Sequence, residues 1–140
     1  MAHKILLVDD DPDFTAIHKE ILEKDGFQVS VLHNSIEAAE ALEAGKETPA
    51  LIMVDLMMEK DDSGFKFCHR VRKNPQTAKT PILMCTGVAR ARSLGFDIKS
   101  PEAREWIKAD DFAEKPIRAE TLLAKVHHLL GEPAEQNSQH

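Results

Sequence analysis

The chain has 140 residues, 42% of them apolar, and a formal net charge of −6; that is enough for one domain with its own core and leaves no basic footprint for direct nucleic-acid binding. Two cysteines, Cys68 and Cys85, are too few and too far apart for a disulfide framework or a zinc site, and read as buried thiols in a reducing compartment. The first apolar run, Ile5–Val8, is too short for a signal-peptide core or a membrane span, so a cytoplasmic protein without a membrane partner is expected.

Ile5–Val8 reads as a buried strand that runs straight into Asp9, Asp10 and Asp11. Asp11 can cap a helix with Pro12 in its first position, and Phe14, Ile17, Ile21 and Leu22 recur at helical spacing until Gly26. Residues 27–33 alternate through Val29 and Val31 as a strand with a more exposed face. Asn34 and Glu37 then form a capping box for a helix carrying Ile36, Ala39 and Leu42. The continuous apolar run Ala50–Val54 is too short for a helix and reads as a strand buried on both faces, ending in a lone Asp55. Phe65, Cys68 and Val71 mark a third helix that Asn74-Pro75 ends, and the strand from Pro81 to Cys85 ends in Thr86. Between Gly87 and Lys99 the pattern loosens, until Ser100-Pro101-Glu102 opens a helix leading to Trp106 and Ile107. A short strand over Phe112–Glu114 runs into Lys115-Pro116. Leu122, Leu123, Val126, Leu129 and Leu130 form a last amphipathic helix closed by Gly131. Residues 1–131 are expected to be one domain, residues 132–140 a loose polar tail, with no output domain following.

Five strands alternating with about five helices indicate an α/β fold with a doubly wound parallel sheet. In such a sheet, residues just past the carboxyl ends of the strands meet in one edge crevice. That predicts a cluster of Asp9, Asp10, Asp55, Thr86 and Lys115. Carboxylates ~4 Å apart repel by roughly 4 kcal/mol at an effective dielectric of 20, so something must neutralise them. A hard divalent cation does so, and Mg²⁺ in particular favours one or two carboxylates, a carbonyl, waters and a phosphate. The site therefore looks built for a phosphoryl group. Asp55, central and solitary, is the natural nucleophile, with Lys115 and the Thr86 hydroxyl at the equatorial oxygens.

With the acidic pair Asp9-Asp10, the acceptor position Asp55, the hydroxyl residue Thr86 and the Lys115-Pro116 pair in this order, the chain resembles the receiver domains of two-component response regulators over residues 4–131. The resemblance implies a flavodoxin-like sheet of strand order 2-1-3-4-5. It implies that Asp10, Asp55 and the carbonyl of Met57 bind Mg²⁺ directly and that Asp9 helps through water. By the same resemblance Asp55 takes phosphate from a sensor histidine kinase or a histidine phosphotransfer protein. Phosphorylation then draws in Thr86 and lets an aromatic residue, here Phe112, swing inward. The face formed by the last strand and the two last helices is what protein partners read, a homodimer being one form of partnership. A cis Lys115-Pro116 bond belongs to the same pattern. The expected protein is a stand-alone phosphoacceptor that assists its own phosphorylation without being an enzyme in the usual sense.

The chain departs from the family pattern in places. Glu59 stands where a proline is usual, and Glu59-Lys60-Asp61-Asp62 delays Gly64. Phe112 replaces the common tyrosine and carries no phenolic hydroxyl. The segment 87–110 is longer than usual. Met57 and Val88 are apolar and poorly suited to orient a hydrolytic water, so slow self-dephosphorylation is expected.

Blander readings compete at single positions. Asp9 to Asp11 are also accounted for by simply capping the first helix, whereas Glu59, Asp61 and Asp62, like Arg90, Arg92 and Lys99, suit a solvated loop. His127 and His128 are read as solvent-facing, and Phe96 and Trp106 as core. The main rival is a degenerate receiver acting as an unphosphorylated scaffold. An aspartyl-phosphate phosphatase is disfavoured because Met57 stands where its acid/base Asp belongs. A flavin carrier is disfavoured by the acids after strand one, which would repel a cofactor phosphate.

Overall fold

The computed structural model describes residues 3–55, 63–87 and 108–131. The elements run β1 (Lys4–Val8), α1 (Pro12–Lys24), β2 (Gln28–Leu32), α2 (Ser35–Glu43), β3 (Leu51–Asp55), α3 (Ser63–Lys73), β4 (Ile82–Thr86), β5 (Asp111–Glu114) and α4 (Ala119–Leu129). All strand pairs are parallel and the order is β2-β1-β3-β4-β5, as expected from right-handed crossovers. Both the doubly wound fold and the strand order follow the sequence reading. No helix among the described residues is long and apolar enough to cross a membrane.

The continuous apolar character of β3 and β4 has its reason in two cores, one on each face of the sheet. Leu6, Val8, Ile52, Val54, Ile82 and Met84 point to the side covered by α2 and α3, where Phe67, Cys68 and Val71 meet them. Their sequence neighbours Ile5, Leu7, Leu51, Met53, Leu83 and Cys85 point to the other side, against Leu22 of α1 and Leu122 and Val126 of α4. The period-2 alternation of a strand divides each apolar run between the two cores. As an edge strand, β2 is only partly buried.

The helix ends form by the expected chemistry. The Asp11 carboxylate accepts from the amides of Asp13 and Phe14 at 3.0 and 3.3 Å, and Asn34 Oδ1 accepts from those of Ile36 and Glu37 at 2.8 and 3.0 Å. Gly26 at φ 96° and Gly131 at φ 77° turn the chain out of α1 and α4 in the left-handed conformation that glycine adopts without strain.

Three expectations need correcting. Ile17 and Ile36 are 57% and 58% exposed and do not join the core. In α1 the inward positions go to Thr15, His18 and Leu22. The two polar residues are tolerated there because Thr15 Oγ1 donates to the Pro12 carbonyl at 3.1 Å and His18 Nδ1 to the Phe14 carbonyl at 2.8 Å. His127 does not face solvent: it is buried, packs beside Phe27 and holds Asp25 Oδ2 at 2.6 Å through Nε2, while His128 is exposed.

The entry to β5 is fastened by Arg72. Its Nε donates to the Lys108 carbonyl at 3.1 Å, its Nη1 to the carbonyls of Ala78 and Thr80 at 3.2 and 2.7 Å, and its Nη2 to Asp110 Oδ2 at 2.8 Å. The same Asp110 oxygen accepts from the Ile82 amide at 2.8 Å, so one guanidinium ties the end of α3 to the starts of β4 and β5. Lys108 takes a positive φ of 71° there. The expected helix from Ser100, the packing of Phe96 and Trp106, the loops around Glu59 and Arg90, and the tail 132–140 lie outside the described residues.

Candidate functional site

The carboxyl ends of β1, β3, β4 and β5 deliver the predicted residues to one edge. Asp9 follows β1 directly, and its amide extends the ladder to β2 by donating to the Leu32 carbonyl at 3.1 Å. Its side chain is almost completely buried, at 1% exposure. One carboxylate oxygen accepts from the Asp11 amide at 3.0 Å, the other from Lys115 Nζ at 2.8 Å. Asp55, the last residue of β3 and 7% exposed, accepts from the same ammonium at 3.2 Å. Asp10 is exposed. One oxygen from each of Asp9, Asp10 and Asp55 lies within 4.8 Å of the others.

Lys115 is held from both ends. Its amide donates to the carbonyl of Thr86, the buried last residue of β4, at 2.9 Å, and the Lys115–Pro116 bond is cis. Burial, the largest single influence on the ammonium, pulls its pKa down. The hydrogen bond to Asp9 and the charges of Asp55 and Asp9 together outweigh it, so the net shift is upward. Lys115 therefore stays charged at neutral pH and, among the described residues, pairs with two of the three clustered carboxylates. Hard oxygen donors and close spacing suit a hard divalent cation.

The structure thus brings together Asp9, Asp10, Asp55 and Lys115, with Thr86 beside them through its strand end. Phe112, paired with Met84 in the sheet, already lies inward in the core beneath α2 and α3. Met57 lies outside the described residues. Two neighbours of the site went unrecognised in the sequence. Exposed His33 donates Nδ1 to the Asp9 carbonyl at 2.9 Å, and the ring of Phe14 lies under Lys115 Nζ, 4.2 Å from its centroid. Nothing in the local pattern distinguishes either from an ordinary turn or core residue.

A doubly wound parallel sheet with an acidic, lysine-bridged crevice at its carboxyl edge is a flavodoxin-like α/β domain of the receiver class. The chain belongs to the response regulator receiver domain family, which it matches over residues 5–127. It is 37% identical over 129 residues to the DNA-binding dual master transcriptional regulator RpaA of Synechocystis, across 91% of this chain and 48% of that protein. The chain spans about half the length of the curated relatives it matches. A response regulator signal receiver domain from Bermanella marisrubri shares 31% identity at a TM-score of 0.72, over 93% of this chain and 99% of that one. The receiver domain of the Pseudomonas aeruginosa sensor histidine kinase PA1611, solved with magnesium coordinated in its active-site cleft, shares the fold at a TM-score of 0.78 and 20% identity, over 94% of this chain and all of that one.

Proposed function

We propose that residues 1–131 form a Mg²⁺-dependent phosphoacceptor unit that takes phosphate on Asp55 from the phosphohistidine of a sensor kinase or phosphotransfer protein, and signals by binding another protein. The observation that carries this reading is the convergence of three carboxylate oxygens within 4.8 Å, two of the carboxylates bridged by one lysine. The magnesium reported in the fold neighbour's cleft agrees with it.

In this reading Asp10, Asp55 and the Met57 carbonyl would hold the cation directly, and Asp9 would help through water. Bound Mg²⁺ supplies charge neutralisation and orients the incoming phosphoryl oxygens. An Asp55 oxygen attacks phosphorus in line as the bond from phosphorus to the donor's imidazole nitrogen breaks; the donor ring, protonated on its other nitrogen, takes the bond pair and leaves as a neutral imidazole, and an acyl phosphate remains on Asp55. Lys115 and the Thr86 hydroxyl steady the equatorial oxygens. Thr86 and Phe112 then carry the change toward the β4–β5 edge. The apolar side chains of Met57 and Val88 position no water, so the phosphorylated state decays slowly.

Intact-mass spectrometry after incubation with acetyl phosphate tests this. One phosphoryl adduct is expected with Mg²⁺, none in EDTA and none in Asp55→Asn. Absence of the adduct in the unaltered protein with Mg²⁺ would favour an unphosphorylated scaffold, and an adduct lifetime of seconds would refute slow decay.

A further inference from the structure

The Lys115 side chain is flexible, and in the proposed reaction its two carboxylate partners change what they hold. Its third neighbour does not change. The ammonium lies over the Phe14 ring, 4.2 Å from the centroid, within the range where the ring quadrupole attracts a cation. The ring is itself backed. The His18 imidazole stacks on it with centroids 4.0 Å apart and planes 28° apart. With the imidazole on one face, an ammonium over the ring takes the other.

His18 is a costly residue to keep in this place. It is 5% exposed and fixed by Nδ1–H donating to the Phe14 carbonyl at 2.8 Å, and its Nε2 is buried without a hydrogen-bond partner among the described residues. A leucine would fill the same inward position on α1 without burying an orphan nitrogen. What the imidazole adds is a flat surface, tethered to the backbone of Phe14, that fixes the plane of the Phe14 ring.

We infer that Phe14, held flat by His18, is a positioning residue for the reaction: it seats the Lys115 ammonium at the crevice independently of the state of Asp9 and Asp55. This rests on the phosphoacceptor reading. An uncharged π face neither competes with a cation for the carboxylates nor is consumed when Asp55 is modified. Lys115 thereby keeps one fixed contact before and after phosphoryl transfer.

The test compares Phe14→Leu, which keeps apolar volume and removes the π face, with Phe14→Tyr, which retains it. Two quantities are measured: the rate of Asp55 phosphorylation by acetyl phosphate in Mg²⁺, and the NMR shift of the Lys115 Hε protons. Phe14→Leu is expected to slow phosphorylation about three- to tenfold and to abolish the upfield ring-current shift of Hε. Phe14→Tyr restores both, and in a Lys115→Met background Phe14→Leu has no further effect on the rate. An unmoved Hε resonance in Phe14→Leu, or slowing that persists in the Lys115→Met background, overturns the inference. If the unaltered protein takes no phosphate, the phosphoacceptor reading fails on its own, and the Hε shift alone decides whether Phe14 seats Lys115.

Discussion

Replacing Asp10 by asparagine isolates the repulsion stored in the crevice. The oxygens of Asp9, Asp10 and Asp55 lie within 4.8 Å of one another. At that distance each pair of charges costs about 3.5 kcal/mol at a dielectric of 20 and about 0.9 kcal/mol at 80. Asp10 is exposed, so the lower value is the better guide, and its two pairs together cost about 2 kcal/mol. Attraction to Lys115 and to the amino end of α1 returns roughly half of that. In EDTA, Asp10→Asn should therefore be more stable than the unaltered protein by about 1 kcal/mol. Magnesium reverses the comparison. At ten times its dissociation constant, a bound cation stabilises the unaltered protein by about 1.4 kcal/mol and the variant by little. Urea denaturation followed by circular dichroism, in EDTA and in Mg²⁺, measures all four states. A variant less stable in EDTA would show that the three carboxylates do not repel in the folded protein. Equal stabilisation by Mg²⁺ would remove Asp10 from the cation site.

Arg72→Ala should cost about 2 kcal/mol in urea unfolding, because it removes the ion pair to Asp110, which keeps its bond from the Ile82 amide, and frees the carbonyls of Lys108, Ala78 and Thr80 at once; Arg72→Lys should recover little, since an ammonium cannot reproduce the fork. His127→Ala should cost about 1–2 kcal/mol through the lost Asp25 contact and Phe27 packing, while His128→Ala, altering an exposed residue, changes stability by no more than about 0.5 kcal/mol. Burial pushes the Cys68 thiol up to about 12 and raises that of Cys85 as well, so iodoacetamide at pH 8 should label neither in the native protein and both in urea. These thiols and Lys115 all have folded pKa values above the unfolded ones. Their stabilising contributions are complete below the unfolded values, about 8.5 for the thiols and 10.4 for lysine, and are lost as pH rises. The urea midpoint should hold steady from pH 7 to 8 and fall above roughly pH 9; a midpoint unchanged to pH 11 would refute this.

The fold was legible because each local signal agreed with the next: Asp11 and Asn34 cap helices, apolar runs too short for helices form the central strands, and a polar residue ends or directly follows each of β1, β3, β4 and β5. The site was legible for the same topological reason, since parallel strands place their carboxyl ends at one edge. What escaped the sequence were contacts fixed by tertiary packing. Helical periodicity marks Ile17 as apolar, but it does not say that Thr15 and His18 can satisfy their polar atoms within their own turn and take the inward positions. It marks His127 as polar without revealing Asp25 across the helix pair. The bridging of Asp9 and Asp55 by Lys115 depends on residues 106 and 60 positions apart. Arg72 looked like any basic residue near a helix end, although its fork closes a network spanning three elements.

The crevice also constrains how a change at Asp55 can travel. Its described side chains come from between Asp9 and Lys115, all within the span matched to the family. Lys115 satisfies the carboxylates that a cation would claim, so cation binding and the hold on Lys115 are thermodynamically linked, and whatever shifts one shifts the other by the same free energy. Lys115 is in turn bonded through its amide to the Thr86 carbonyl, and Phe112 lies three residues before it on β5, packed inward beside Met84. Strain or relief at the ammonium therefore reaches the β4–β5 edge through one side chain and one peptide, whereas among the described residues β2, on the far side of β1, is joined to the site through the Asp9 backbone and His33. A response to phosphorylation should accordingly emerge on the β5 side of the sheet.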